Sequence, residues 1–159
     1  MKALPRIKEV LTHPYLALIF RLYVAGLFIY ASMYKINYTA QFAESIASYQ
    51  IAPYWVVNFV AVTLPWVELV CGILLIAGFR GRSATVVIGF LLIFFTLAII
   101  VNLVRGVYIS CGCFQATGDT ISWWTVGRDF IWLMMTIHVF LYDKAFHLEN
   151  RFRLAIKEI

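Results

Sequence analysis

Long apolar runs separated by short polar breaks set the pattern of this chain. They cover roughly Tyr15–Tyr34, Val56–Phe79, Ala84–Val104 and Trp123–Tyr142. About 20 apolar residues in a helix cross the hydrocarbon core of a bilayer, so each run predicts one transmembrane helix. Arg21 interrupts the first run and no A-x-A-like cleavage site follows it, which favours a membrane helix over a signal peptide. Between the first two runs, Phe42, Ile46 and Tyr49 recur at helical spacing with Glu44, Ser45 and Ser48 opposite. That is the pattern of a short amphipathic helix lying in the interface, ended by Ala52-Pro53. Arg80-Gly81-Arg82 reads as a tight basic turn between the second and third runs. The tail from Asp143 carries Phe146, Leu148, Phe152 and Ile156 at surface-helix spacing. The expected fold is all-α: one membrane domain over residues 1–159, a bundle of four transmembrane helices with an interfacial helix between the first and second.

Composition agrees. Of 159 residues, 63% are hydrophobic and 13% charged, against about 25% charged in a soluble domain. The net charge of +5 matters less than its placement. Nine Lys/Arg fall in segments that four spans put on one side: Lys2, Arg6, Lys8, Arg80, Arg82, Lys144, Arg151, Arg153 and Lys157. The other side has Lys35, Arg105 and Arg128. The positive-inside rule then puts both termini in the cytoplasm and the Arg105–Ile121 loop outside an inner (cytoplasmic) membrane. Tyr54, Trp55, Tyr108, Trp123 and Trp124 would form the aromatic belt on that outer face. No basic patch with interleaved exposed aromatics suggests nucleic-acid binding. The expected non-protein partner is membrane lipid.

The loop carries the most distinctive chemistry. Arg105-Gly106-Val107-Tyr108-Ile109-Ser110-Cys111-Gly112-Cys113-Phe114-Gln115 is a glycine-rich break holding two of the three cysteines. On the outer side of the membrane thiols can be oxidised and stay so. A bridge between Cys111 and Cys113 needs the backbone to fold inward at Gly112, and strained, exposed disulfides are the oxidising, exchangeable ones. Cys111 and Cys113 are therefore the candidate catalytic pair, with Arg105 close enough in sequence to lower a thiol pKa. Two thiolates do not complete a zinc site and no further ligand lies nearby, so no metal is expected. Cys71, mid-way along the second run, reads as a packing residue.

Ionisable groups inside the runs form the second set. They are Arg21, Glu68 and the pair Arg128-Asp129, with Lys35 at the end of the first run. Such groups are costly in lipid and face the bundle interior. Arg21, Ala25, Phe28, Ser32 and Lys35 share one helical stripe; Ala61, Pro65, Glu68 and Gly72 share another; Thr125, Asp129 and Thr136 a third. The small residues suit close helix contact. Arg21 with Glu68, and Lys35 with Asp129, are the expected ion pairs. They serve as polar locks or as a proton path or quinone headgroup site. His138 lies nearly opposite Asp129 and reads as a snorkelling or hydrogen-bonded histidine rather than a ligand.

These residues resemble a known family. Arg21 with Gly26, Phe28, Ser32 and Lys35; Pro65-Trp66-Val67-Glu68 with Gly72 and Gly78; Asn102 and Arg105-Gly106; Cys111-Gly112-Cys113-Phe114; and Ile121-Ser122-Trp123 leading to Arg128-Asp129 are together similar to the DoxX-like membrane proteins, and within them the methylamine-utilisation MauE branch. The chain departs at Gln115 and Ser32, where glycine is usual. The resemblance implies a four-helix bundle with a redox-associated role, working with a thioredoxin-like partner in disulfide formation in exported proteins. It also implies a link to thiol oxidation and quinone-coupled complexes. No cofactor is required by the residues themselves, and quinone is the one the resemblance admits. The expected function is thus a membrane thiol–disulfide oxidoreductase, with a non-catalytic assembly subunit of a larger membrane complex as the alternative.

Overall fold

A computed structural model describes residues 14–50, 53–106 and 121–143. Cys111, Cys113, Tyr108 and the charged tail beyond Asp143 lie outside the described residues. Five helices are described: α1 Pro14–Asn37, α2 Thr39–Ser48, α3 Tyr54–Ala77, α4 Gly81–Val104 and α5 Trp123–Tyr142. Three of them, α1, α3 and α4, are long and apolar enough to cross a membrane. The chain is a multi-pass membrane protein. The fourth predicted span, α5, has 20 residues but is not among those three; it carries Arg128, Asp129 and His138.

Helix α1 packs against α3 and α5, α3 against α4, and α4 against α5, so the four long helices close into a ring around one core. At its centre Val24, Ala25, Phe28, Cys71, Leu75, Ile88 and Leu92 pack together. Cys71 is a buried free thiol in that core, as its apolar neighbours suggest. Outward faces carry Ile19, Phe59, Val70, Phe90, Phe94, Leu97, Phe130 and Ile137, all exposed. A soluble monomer rarely leaves so much contiguous apolar surface bare, whereas lipid tails cover it at no cost.

In lipid, backbone and side-chain polar groups must be satisfied within the protein. The described helices do this locally. Ser32 Oγ donates to the carbonyl of Ile29, Thr85 to Gly81, Thr96 to Leu92 and Thr136 to Trp132. Asn102 Nδ2 donates to Ala98.

Two boundaries differ from the sequence reading. Helix α1 does not stop at Tyr34. The amides of Tyr38 and Phe42 donate to the carbonyls of Tyr34 and Tyr38, so the hydrogen-bond ladder runs on into α2. That helix packs on α3 with Phe42 and Tyr49 buried, which is the apolar face the sequence predicts. The turn between α3 and α4 is Gly78-Phe79-Arg80 rather than Arg80-Gly81-Arg82. Gly78 (φ 65°) takes the left-handed conformation that ends α3. The Phe79 amide returns to the Leu74 carbonyl, and α4 begins at Gly81.

The α1–α3 contact depends on Gly72. A Cβ there would lie 2.7 Å from Ile29 Cγ1 and 3.2 Å from the Ala25 carbonyl oxygen, and the oxygen cannot move without the helix. Gly72→Ala is expected to push α1 from α3 and lower stability by about 1–3 kcal/mol, the usual cost of overpacking. Thermal unfolding of the purified protein in detergent would show a lower midpoint, and an unchanged one would contradict this contact.

A buried ion-pair centre as the candidate functional site

Register decides which charges meet. Helices α1 and α3 run antiparallel, and Gly72 faces Ala25 and Ile29. Glu68, one turn from Gly72, therefore lies level with the Ala31–Ser32 turn of α1. Side chains on a helix lean toward its N-terminus, so Lys35 reaches back one turn to Glu68. Its Nζ donates to both carboxylate oxygens, at 2.6 and 2.8 Å. Arg21 lies about ten residues from the Ala31 level, about 15 Å along the axis at 1.5 Å per residue. The expected Arg21–Glu68 pair does not form for that reason.

Arg21 instead binds Asp143, just beyond the end of α5, at 3.0 Å. Both side chains are nearly fully buried. Asp143 belongs, in the sequence reading, to the charged tail. What brings it back is the antiparallel course of α5 along α1, which returns the end of α5 to the start of α1. The expected Lys35–Asp129 pair is also replaced. Asp129 Oδ1 accepts from its neighbour Arg128, from Nε at 3.4 Å and Nη2 at 3.3 Å. The Arg128 guanidinium lies over the Trp132 ring, 4.5 Å from its centre.

The predicted stripes are the buried ones. Arg21, Ala25, Phe28, Ser32 and Lys35 are at most 5% exposed. Ala61, Pro65, Glu68 and Gly72 are buried in α3, and Thr125, Asp129 and Thr136 in α5. Lys35, Glu68 and Asp129 also share one place: with Phe28, Phe95 and Trp132 they line a cavity of about 40 Å³ inside the bundle. About 10–15 Å³ of such space admits a water, so the cavity is sized for one to a few small polar molecules. The Lys35 ammonium is further enclosed by the rings of Phe42 and Phe95, at 5.0 and 5.2 Å, a cation–π arrangement that offsets part of its desolvation. Phe42 and Phe95 are participants that the ionisable residues alone do not reveal. Their signal in the sequence is only that Phe42 heads the apolar face of α2.

His138 stands apart. It is half-buried between Phe20, edge-on at 5.2 Å, and Tyr142 at 4.9 Å. Among the described residues no group of three His, Cys, Asp or Glu is arranged to hold a metal ion.

At the other candidate site, only the frame is described. Arg105, exposed, caps α4, and Gly106 follows with φ 71°. Ile121, fully buried, packs with Tyr49 and Ile99 just before α5. The end of α4 and the start of α5 thus lie at one end of the bundle. Tyr54, Trp55, Trp123 and Trp124, all strongly exposed, open α3 and α5 at this same end.

The family described as methylamine utilisation protein MauE matches residues 13–142. The chain belongs to the MauE family. Three curated MauE proteins, each named methylamine utilization protein MauE, are similar to it. The one from Methylorubrum extorquens is 29% identical over 125 residues, covering 77% of this chain and 67% of the relative. That from Paracoccus denitrificans is 28% identical over the same shares. That from Methylophilus methylotrophus is 33% identical over 107 residues, 67% of this chain and 56% of the relative. No solved structure matches the chain. The MauE match spans all five described helices, the buried Arg21, Lys35, Glu68 and Asp129, and the cysteine positions; Asp143 lies one residue beyond it.

Breaking one half of a buried ion pair strands the other charge and costs about 3–5 kcal/mol, whereas replacing both halves with apolar or neutral groups often costs little. Lys35→Met and Glu68→Gln are each expected to lower stability by roughly that amount. The double variant should lose much less than the sum. Denaturant unfolding in detergent measures the cycle; additive losses would mean the two side chains do not depend on each other.

Proposed function

We propose that this chain is a four-span inner-membrane thiol–disulfide exchange protein whose Cys111 and Cys113 work on the outer face. The observation that carries the reading is the frame of the loop. Arg105-Gly106 and Ile121-Ser122 hold its two ends at the aromatic end of the bundle. A cysteine pair carried between those two ends would lie at a membrane surface, within reach of a soluble partner. The buried Arg21–Asp143 contact supports a fourth crossing, because it requires α5 to run the length of α1. The Lys/Arg distribution supports cytoplasmic termini and an outward loop.

In the proposed reaction the thiolate of a partner's dithiol attacks the Cys111–Cys113 disulfide through a mixed disulfide. The second partner thiol then resolves it. The partner dithiol loses two electrons and two protons to become a disulfide, and Cys111 and Cys113 become a dithiol. A thioredoxin-like or exported thiol protein is the partner class. Reoxidation of the dithiol needs a two-electron acceptor, and a membrane quinone is the class that fits a site with little soluble mass. The relatives are named for methylamine utilisation, and we assign this chain the oxidative maturation of an exported protein in such a system.

The test is to make Cys111→Ser and Cys113→Ser singly, and to trap thiols by alkylation in intact cells before mass spectrometry. The expected result is loss of disulfides in exported proteins with either variant. A mixed disulfide with the partner is expected to be trapped on the unaltered chain and to be absent from both variants, which lack the disulfide that the partner thiolate attacks. Normal exported disulfides in both variants, with stable co-purification of the chain in a larger complex, would replace this reading with an assembly role.

A further inference from the structure

We propose that Asp129 and the cavity it shares with Lys35 and Glu68 form an internal proton-exchange site. The cavity admits water, and Asp129 takes and releases the proton. Three charged elements meet there. Helix α1 brings Lys35, α3 brings Glu68, and α5 brings Asp129 with Arg128 beside it. Helix α4 brings only Leu92 and Phe95 to the lining, and α2 adds Phe42 against the ammonium. The two carboxylates are held very differently. Glu68 uses both oxygens on one ammonium, at 2.6 and 2.8 Å. Asp129, with a side chain only 4% exposed, uses Oδ1 alone, in two longer bonds to Arg128. Its Oδ2 accepts no hydrogen bond among the described residues. A carboxylate oxygen that accepts no hydrogen bond, on a buried side chain that lines a water-sized space, is a place for a water or a proton.

The cost of moving the proton also differs. A proton on Glu68 would leave the Lys35 ammonium buried against two phenyl rings, with the carboxylate that binds it neutralised. A proton on Asp129 leaves Arg128, whose side chain is 30% exposed and stacked on Trp132, and a guanidinium in that setting keeps the support of the ring. The step balances simply. The Asp129 carboxylate and a hydronium in the cavity become a carboxylic acid and a water, and the reverse returns the proton. The site does not depend on the thiol reading, and neither cysteine enters its test.

The experiment is infrared difference spectroscopy of the full chain in phospholipid vesicles, cycled between neutral and acidic pH in H2O and D2O. The C=O stretch of a protonated carboxylic acid is expected to appear on acidification and to move to lower frequency in D2O. It should vanish in Asp129→Asn, change frequency in Asp129→Glu, and persist in the double variant Lys35→Met/Glu68→Gln. A band that is unchanged in both Asp129 variants, that ignores D2O, or that is lost in the double variant would overturn the proposal. Should Asp129→Asn lose its helical amide signal, the frequency change in Asp129→Glu answers the same question.

Discussion

The Lys35 ammonium is the point on which this bundle closes. It sits on α1, binds Glu68 of α3, and lies against Phe42 of α2 and Phe95 of α4. Desolvating an ammonium and a carboxylate costs several kcal/mol per ion, and the cost is met only while all three surrounding helices stay in register. A one-turn slip of α3 against α1 would strand both charges in an apolar interior. The pair therefore contributes specificity of register more than net stability. Gly72 contributes the complementary constraint, because it sets the distance at which α1 and α3 meet.

A second buried pair does the same work at the opposite end. Arg21 and Asp143 tie the start of α1 to the end of α5, where no apolar packing alone would distinguish one helical turn from the next. With one lock between α1 and α3 and another between α1 and α5, α1 is the reference against which the other helices are aligned. The α4–α5 contact, by contrast, relies on small and neutral polar residues such as Gly89 against the Thr136 methyl, 3.7 Å from a built Cβ.

Among the described residues, which helices exist and which faces they bury was legible from periodicity. Every residue of the Arg21–Lys35 and Ala61–Gly72 stripes is buried, because in a lipid-facing bundle the charged and small positions have nowhere else to go. Partners were not legible. Pairing Arg21 with Glu68 assumes a register that only Gly72 and the prolonged α1–α2 ladder determine, and neither shows in hydropathy. Asp143 was hidden for a different reason: it follows the last apolar residue of α5 and looks like the first residue of a solvated tail. The helix ends went astray where glycine acts. Gly78 stops α3, while Gly81 looks like part of a turn yet starts α4.

The same helices that frame the cysteine loop also bear on the buried charges. The loop leaves α4 at Arg105-Gly106 and enters α5 at Ser122, and Asp129 lies less than two turns into α5. At about 1.5 Å per residue, that is about 10 Å below the loop's end. Ile121 and Val126 pack into one apolar cluster with Ile99 and Leu103 of α4 and Tyr49 beyond α2, so the first turn of α5 is held by contacts on both α4 and the α2 end. A rearrangement of the loop that moved Ile121 would act on that cluster first. The next turn of α5 carries Arg128 and Asp129, whose mutual hydrogen bonds are the longest of the three ion pairs among the described residues. The start of α5 is thus the physical connection between the proposed thiol site and the charge centre, and its most loosely held carboxylate is the one positioned to feel it.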